Sequence, residues 1–253
     1  MEQKLIYIAG IGHNGSTFLD LALGKNEEFF STGQLNDLLI PYNPYLGSGA
    51  KEIFWRKVLA QSKVDQNLLR ELNGKVLKER NLARFISSGK LRRSFSDLNW
   101  RIIEEIQNEA GARIVIDSSK NISRGIGLLE KNKNQIFIIH LVRSCRGFVH
   151  SVNKRRKNSC SPPATASAVA RWLLKNTAAS LFVRGKAKNY LLVRWKNLIA
   201  FPNECVKNIS HFLGESLPCT YRVFLGQDQL FPANSYCCGG NRILGESVIT
   251  LRR

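Results

Sequence analysis

Apolar residues along the chain fall into short unbroken runs, separated by stretches with helical spacing. Leu5 to Ala9, Ala112 to Asp117 and Ile136 to Val142 are such runs, and Tyr190 to Val193 is a fourth. Phe29-Phe30 opens a shorter one that ends at Ser31 to Gly33. Runs of this length without polar alternation suit parallel strands covered on both faces. The intervening pattern is helical. Phe18 to Leu23 predicts a helix that stops near Gly24. Residues 51–110 predict a mainly helical stretch, with Trp100, Ile103, Ile106 and Ala110 on one face. A long helix is predicted from Ala166 to about Val183, with Trp172, Ala179 and Phe182 facing inward. Another runs from Pro202 to Leu213 on the apolar stripe Val206, Ile209 and Phe212. Pro41 to Gly49, rich in Pro, Gly, Asn and Tyr, reads as a loop. Strands alternating with helices imply a parallel sheet with right-handed crossovers, whose ligands bind at the carboxyl ends of the strands.

Composition narrows the partners. The 253 residues suit one domain, and 43% hydrophobic content is enough to build its core. A formal net charge of +19 points to anionic ligands: a nucleotide, an acidic glycan, nucleic acid or an anionic membrane surface. The six cysteines, with four histidines, show no C-x-x-C pair and no zinc-site spacing, so no metal is expected. Met1-Glu2-Gln3-Lys4 runs directly into a strand, and no apolar run approaches a membrane span. The expectation is a cytoplasmic protein with reduced thiols and no membrane span.

Candidate chemistry gathers at the predicted strand ends. Gly10-Ile11-Gly12-His13-Asn14-Gly15-Ser16-Thr17 lies between the first strand and the first helix. Strand, glycine loop and helix form the context of a phosphate-binding loop, in which backbone N–H groups and the positive end of the helix cradle an anion. The expected fold is therefore α/β, a P-loop NTPase-like three-layer fold with a central parallel sheet and helical insertions. Ser16 stands where the usual loop has the lysine that reaches the outer phosphates of a nucleoside triphosphate. That argues against ordinary ATP or GTP hydrolysis. Asp117-Ser118-Ser119-Lys120 ends the second long strand, and Arg143-Ser144-Cys145-Arg146-Gly147 ends the third, with Ser151 beyond it. Arg143 offers a rigid fork of donors to a phosphate and Ser151 a hydroxyl. Lys154-Arg155-Arg156-Lys157 is a basic cluster with no aromatic platform beside it, so no nucleic-acid partner is expected.

This set resembles the sulfotransferases that use 3′-phosphoadenosine 5′-phosphosulfate (PAPS). Gly12-His13-Asn14-Gly15-Ser16-Thr17 resembles the family's loop for the 5′-phosphosulfate. Leu141-Val142-Arg143-Ser144-Cys145-Arg146-Gly147 with Ser151 is similar to its segment for the 3′-phosphate. Ile116 to Lys120 resembles its D-S-S-K strand end, Tyr190 to Leu198 with Phe212-Leu213-Gly214 its R-Y-E-D-L and F-L-G helix, and Gly239-Gly240-Asn241-Arg242 its late G-G-N loop. The resemblance implies one sulfotransferase-like domain over residues 1–253, with a helical insertion at about 50–110. It implies PAPS as co-substrate and sulfuryl transfer to a hydroxyl or amine of a small-molecule or glycan acceptor, the basic charge serving to attract the nucleotide or an anionic acceptor. Gly12, His13, Asn14, Gly15, Ser16, Thr17, Arg143 and Ser151 would bind PAPS; His13 and Lys120 would stabilise charge near the transferred group.

The sequence departs from the family at the base. Many relatives carry Gly-Glu where Gly33-Gln34 stands, and Gln34 cannot take a proton. His13 and Asp37 are the remaining candidates, with His13 assigned to the leaving oxygen and Asp37, or a substrate group, to the acceptor proton. His140, in a buried-looking strand, reads as a satisfied core residue. Asn197 replaces an Asp of the relatives, Leu244 replaces an Arg, and the chain stops at Leu251-Arg252-Arg253 where relatives often continue. Two other readings stand beside this one. A small-molecule kinase could place metal on Asp117 but lacks the loop lysine. A non-catalytic nucleotide- or polyanion-binding protein would account for Gln34.

Overall fold

The computed structural model describes residues 3–40, 43, 46, 49–155, 161–217 and 236–239. Among these residues five strands, β1 (Lys4–Gly10), β2 (Phe29–Ser31), β3 (Ile114–Lys120), β4 (Ile136–Val142) and β5 (Asn189–Arg194), form one sheet in the order β2-β3-β1-β4-β5. Every pairing is parallel. β1 is central, with Leu5 to Gly10 aligned to Ile136 to Leu141 of β4 on one side. On the other side it follows β3 from Lys4↔Ile114 to Tyr7↔Asp117, then slips so that Ala9 faces Lys120. β3 thus runs three residues further than the apolar run, and Asp117-Ser118-Ser119-Lys120 lies inside the strand.

Helices cover both faces, as the unbroken apolar runs require. One face packs Ile6, Ile8, Ile114, Ile116, Ile139 and Leu141 under α1 (Ser16–Leu23), α9 (Trp195–Ala200) and α10 (Pro202–Leu213). The other packs Leu5, Tyr7, Val115, Ile136 and Ile138 under α2 (Ala50–Gln61), α3 (Gln66–Val76), α4 (Leu82–Ser87), α5 (Gly89–Ala110) and α6 (Ile122–Leu128). Helices α2 to α5 fill the connection from β2 to β3. In α5 the predicted stripe holds: Trp100, Ile103 and Ile106 are buried. A Ser88 hydroxyl caps its start and Gly111, at φ 61°, ends it.

The long helix near the third strand differs from expectation. α7 (Cys145–Arg155) comes first, then α8 (Pro162–Ala178), which continues into a single wide turn at Ala179–Val183. That turn shifts the helical phase, so Ala179 and Val183 are buried but Phe182 is exposed. Pro41 to Gly49 lies mostly outside the described residues, as do Leu244, Leu251 to Arg253, and Gly240 to Arg242.

A buried ion pair joins sheet and helix beneath the site. Arg124 of α6 donates from Nε to Asp117 Oδ2 at 2.6 Å and from Nη1 to Asn99 of α5, and both charged side chains are fully enclosed. Asp117 also accepts the Ser119 backbone N–H at 2.9 Å. A buried pair is costly to break from one side, because the remaining charge has no solvent. Asp117→Ala should therefore lower unfolding free energy by about 3–5 kcal/mol, read as a fall in the urea midpoint at unchanged slope. A loss below about 1 kcal/mol would mean that Arg124 finds another partner.

Candidate functional site

The glycine loop is shaped by what its residues leave out. Gly10 ends β1 at φ 142°, and a Cβ there would meet the Asn14 amide and stand 2.6 Å from Leu141 O. Gly15, at φ 94°, lies against the indole of Trp195, where a Cβ would come within 2.6 Å of Cε3. Both positions thus require glycine twice over, by conformation and by space. Gly12 differs: a Cβ there would meet nothing within 4 Å, so the loop is open on that side. Buried Asn14 donates from Nδ2 to Leu141 O at 2.7 Å and accepts the Ser16 N–H at 3.1 Å. It fastens the loop to β4 and holds the first backbone N–H of α1. Ser16 and Thr17 open that helix, where the dipole favours an anion.

Arg143 and Ser151 close on this loop from across the crevice between β1 and β4. Arg143 Nη1 donates to His13 O at 3.1 Å, and Ser151 Oγ shares a hydrogen bond with His13 Nδ1 at 3.4 Å. His13 holds φ 65°, a left-handed conformation rare for a residue with a side chain. Phe148 of α7 meets its ring edge-on at 6.3 Å. The backbone of Arg143 is held by Trp172 of α8, whose Nε1 donates to its carbonyl at 2.9 Å.

Lys120 and Asp37 belong to a second group, at the β3 end. Lys120 takes φ 63°, the other strained side-chain-bearing position beside the crevice. Burial lowers its pKa to about 8, while Asp20, Asp37 and Asp117 draw it upward and Lys175 of α8 adds to the fall. Asp37 lies at the end of a 3-10 turn, Leu35–Asp37, after β2. Burial raises its carboxyl to about 6, against the pull of Lys120. Asp20 of α1 is fully enclosed, accepting from Ser31 Oγ and Ser118 Oγ at 2.6 Å each, and burial raises it to about 7. At neutral pH this leaves a mainly ionised Asp37 within the field of a mainly protonated Lys120, a proton acceptor and a cation in one group.

His140 is a core residue, as its strand suggested. It is hydrogen-bonded through Nδ1 to Tyr190 and through Nε2 to Asn176 Oδ1 at 3.2 Å, and burial lowers its pKa. Three contributors carried no assignment from the sequence: Asp20, Trp195 and Arg124. Asp20 had left a trace, a lone charge inside Phe18-Leu19-Asp20-Leu21-Ala22-Leu23. Among the described residues no disulfide joins Cys145, Cys205, Cys237 or Cys238; Cys160 and Cys219 lie outside them. Lys154, at the α7 end, is exposed, while Arg156 and Lys157 fall outside them. Among the described residues no helix is long and apolar enough to cross a membrane, and no three or more His, Cys, Asp or Glu gather as a metal site.

No family model matches the sequence, and no curated protein matches it. Solved structures do. The sulfotransferase domain of the Synechococcus olefin synthase superposes with TM-score 0.52 at 19% identity, covering 90% of this chain and 80% of that one. The sulfotransferase domain of the curacin biosynthetic pathway gives TM-score 0.52 at 17% identity, over 98% and 83%. A sulfotransferase from Mycobacterium avium gives 0.52 at 11%, over 94% and 71%. The chain has the α/β sulfotransferase-domain fold.

The raised carboxyls predict a pH signature in stability. A carboxyl with a folded pKa above its unfolded value binds more protons folded than unfolded, so stability falls as pH rises between the two values. For Asp20 that window runs from its ordinary 3.8 to about 7. Unfolding free energy of Asp20→Asn, measured by urea titration at several pH values, should gain on wild type across this window and run parallel to it above pH 8. Parallel curves from pH 4 to 8 would show that Asp20 titrates normally.

Proposed function

We propose that this chain transfers a sulfuryl group from PAPS to a hydroxyl or amine of a small-molecule or glycan acceptor. The observation that carries the reading is the convergence of Arg143 and Ser151 on His13, inside a glycine loop that opens a helix, at the C-terminal edge of a parallel sheet. The sulfotransferase-domain fold of the solved neighbours supports it. The residues suit the co-substrate: an open loop at Gly12, helix-start hydroxyls at Ser16 and Thr17, and a guanidinium across the crevice for a second phosphate.

When bound, PAPS supplies an activated sulfuryl group whose bond to the 5′-phosphate oxygen breaks as the acceptor oxygen or nitrogen bonds to sulfur. The protein's contribution is placement and charge. The loop N–H groups and the α1 dipole hold the phosphosulfate end. Arg143 and Ser151, now bonded to His13, would hold the 3′-phosphate. His13 and Lys120 would stabilise the charge that grows on the leaving and transferred oxygens. Asp37, ionised above about pH 6, takes the acceptor proton.

Calorimetry tests the nucleotide assignment. Adenosine 3′,5′-bisphosphate should bind about ten- to a hundredfold more tightly than AMP, the worth of one charge-assisted contact, and Arg143→Ala should erase most of that difference. Because Arg143 is half-buried and serves no core contact, thermal stability should hold. Equal affinity for the two nucleotides would remove the assignment.

With an acceptor found, the acid limb of kcat should turn at about pH 6, rate rising with pH as Asp37 ionises. Asp37→Asn should lower kcat about 10²- to 10⁴-fold and abolish that limb. A profile unchanged in Asp37→Asn would give the proton to another group.

A further inference from the structure

Residues Tyr236 to Gly239 return from the far end of the chain to the loop after β2. Cys238 N donates to Thr32 O at 2.8 Å, and Gln34 N donates to Gly239 O at 2.9 Å. Trp55 of α2 donates from Nε1 to Tyr236 O at 2.9 Å. Asn43 ties both sides together, donating from Nδ2 to Asp37 O at 2.8 Å and to Cys238 O at 2.6 Å. Gly33, at φ 67°, permits the approach: a Cβ there would strike the Gly239 carbonyl and stand 2.9 Å from Cys237 Cβ.

The contact ends on Asp37. A Cβ on Gly239 would stand 2.5 Å from Asp37 Oδ2, 2.7 Å from its Cβ and 2.9 Å from its Cγ. On the opposite side Asn36 Nδ2 donates to Asp37 Oδ1 at 2.6 Å, and the Asp37 backbone N–H is tied to Gln34 O at 2.9 Å. The carboxylate is therefore held in one orientation between Asn36 and a bare glycine backbone. Gly239 has its φ outside the left-handed region, so its lack of a side chain serves space and not conformation.

We propose that Gly239 is a positioning residue for Asp37, and that the segment Tyr236 to Gly239 acts as a latch fixing that carboxylate toward the acceptor. The proposal rests on the sulfuryl-transfer reading for its purpose, not for its geometry. The charged and titratable groups facing Asp37 are Lys120 and Asp117 of β3, Arg124 of α6 and Cys238 of the latch.

Gly239→Ala adds one methyl group against Asp37. It should lower kcat about ten- to a hundredfold, as misplacement of a reacting group does, and leave the affinity for adenosine 3′,5′-bisphosphate within about twofold. In an Asp37→Asn background the same substitution should change kcat less than about twofold, since the group it displaces no longer acts. An equal loss in both backgrounds overturns the proposal. If Gly239→Ala does not fold, Asn43→Ala, which removes the bridge and adds nothing, enters the same cycle with the same expected coupling. Carboxyl ¹³C titration of Asp37 gives a readout independent of turnover. Its midpoint should move in Gly239→Ala, and an unmoved midpoint counts against the latch. A wild-type enzyme inert toward all acceptors while that midpoint moves overturns the sulfuryl-transfer reading and leaves the latch standing.

Discussion

The site hangs on the exit of the chain from β1. A strand at the centre of a parallel sheet has neighbours on both edges, so the chain can turn only upward, over its own end. At Gly10 a side chain is excluded by Asn14 and by the Leu141 carbonyl of the next strand. The Asn14 amide fills that space and bonds the same carbonyl at 2.7 Å. One buried side chain thus sets the height of the loop above the sheet, and His13, Gly15 and the start of α1 follow from it. An unsatisfied amide in that position would cost about 1–3 kcal/mol, so loop and strand are tied as one unit. The Arg143 fork reaches the His13 carbonyl because β4, which carries it, is the strand to which the loop is tied.

Electrostatics under the crevice run against the protein's overall sign. A chain with net charge +19 gathers three carboxylates there, the fully buried Asp20 and Asp117 and the half-buried Asp37. Each is offset differently: Asp117 by an enclosed guanidinium, Asp20 by two hydroxyls, Asp37 by Lys120 at a distance. Hydroxyl donors only partly repay burial for Asp20, whose carboxyl stays raised. Lys120 faces the opposite pressure: burial lowers its pKa while the three carboxylates draw it upward. The result is an acid and a base whose values bracket neutrality on adjoining elements.

How much of this was legible follows from what each feature depends on. The strands were readable because burial on both faces leaves an apolar run, and the loop because its glycines come in a fixed order. Arg143 directly follows the end of β4 and Ser151 lies eight residues beyond it, a spacing that sequence preserves. Trp195 could not be placed, since its role is to stack on Gly15, reached only when β5 and β1 are assembled. Arg124 reads as an ordinary helix cation until Asp117 and Asn99 enclose it. The phase of α8 failed at Phe182 because one wide turn, invisible to a 3.6-residue period, rotates everything after it.

The loss of Glu at position 34 looks different once the local backbone is known. Asp37 N donates to Gln34 O at 2.9 Å, and the residues between form a 3-10 turn. In such a turn residues three apart lie nearly one above the other. A carboxylate at 37 therefore stands about one turn from where a carboxylate at 34 would have been. Position 34 keeps a separate duty, since its N–H holds Gly239 O at 2.9 Å. The amide of Gln34 adds no charge beside Asp37. A second carboxylate there would repel the first and push one of the pair toward its protonated form. One acid at position 37, with glutamine at 34, leaves a single carboxylate in that turn.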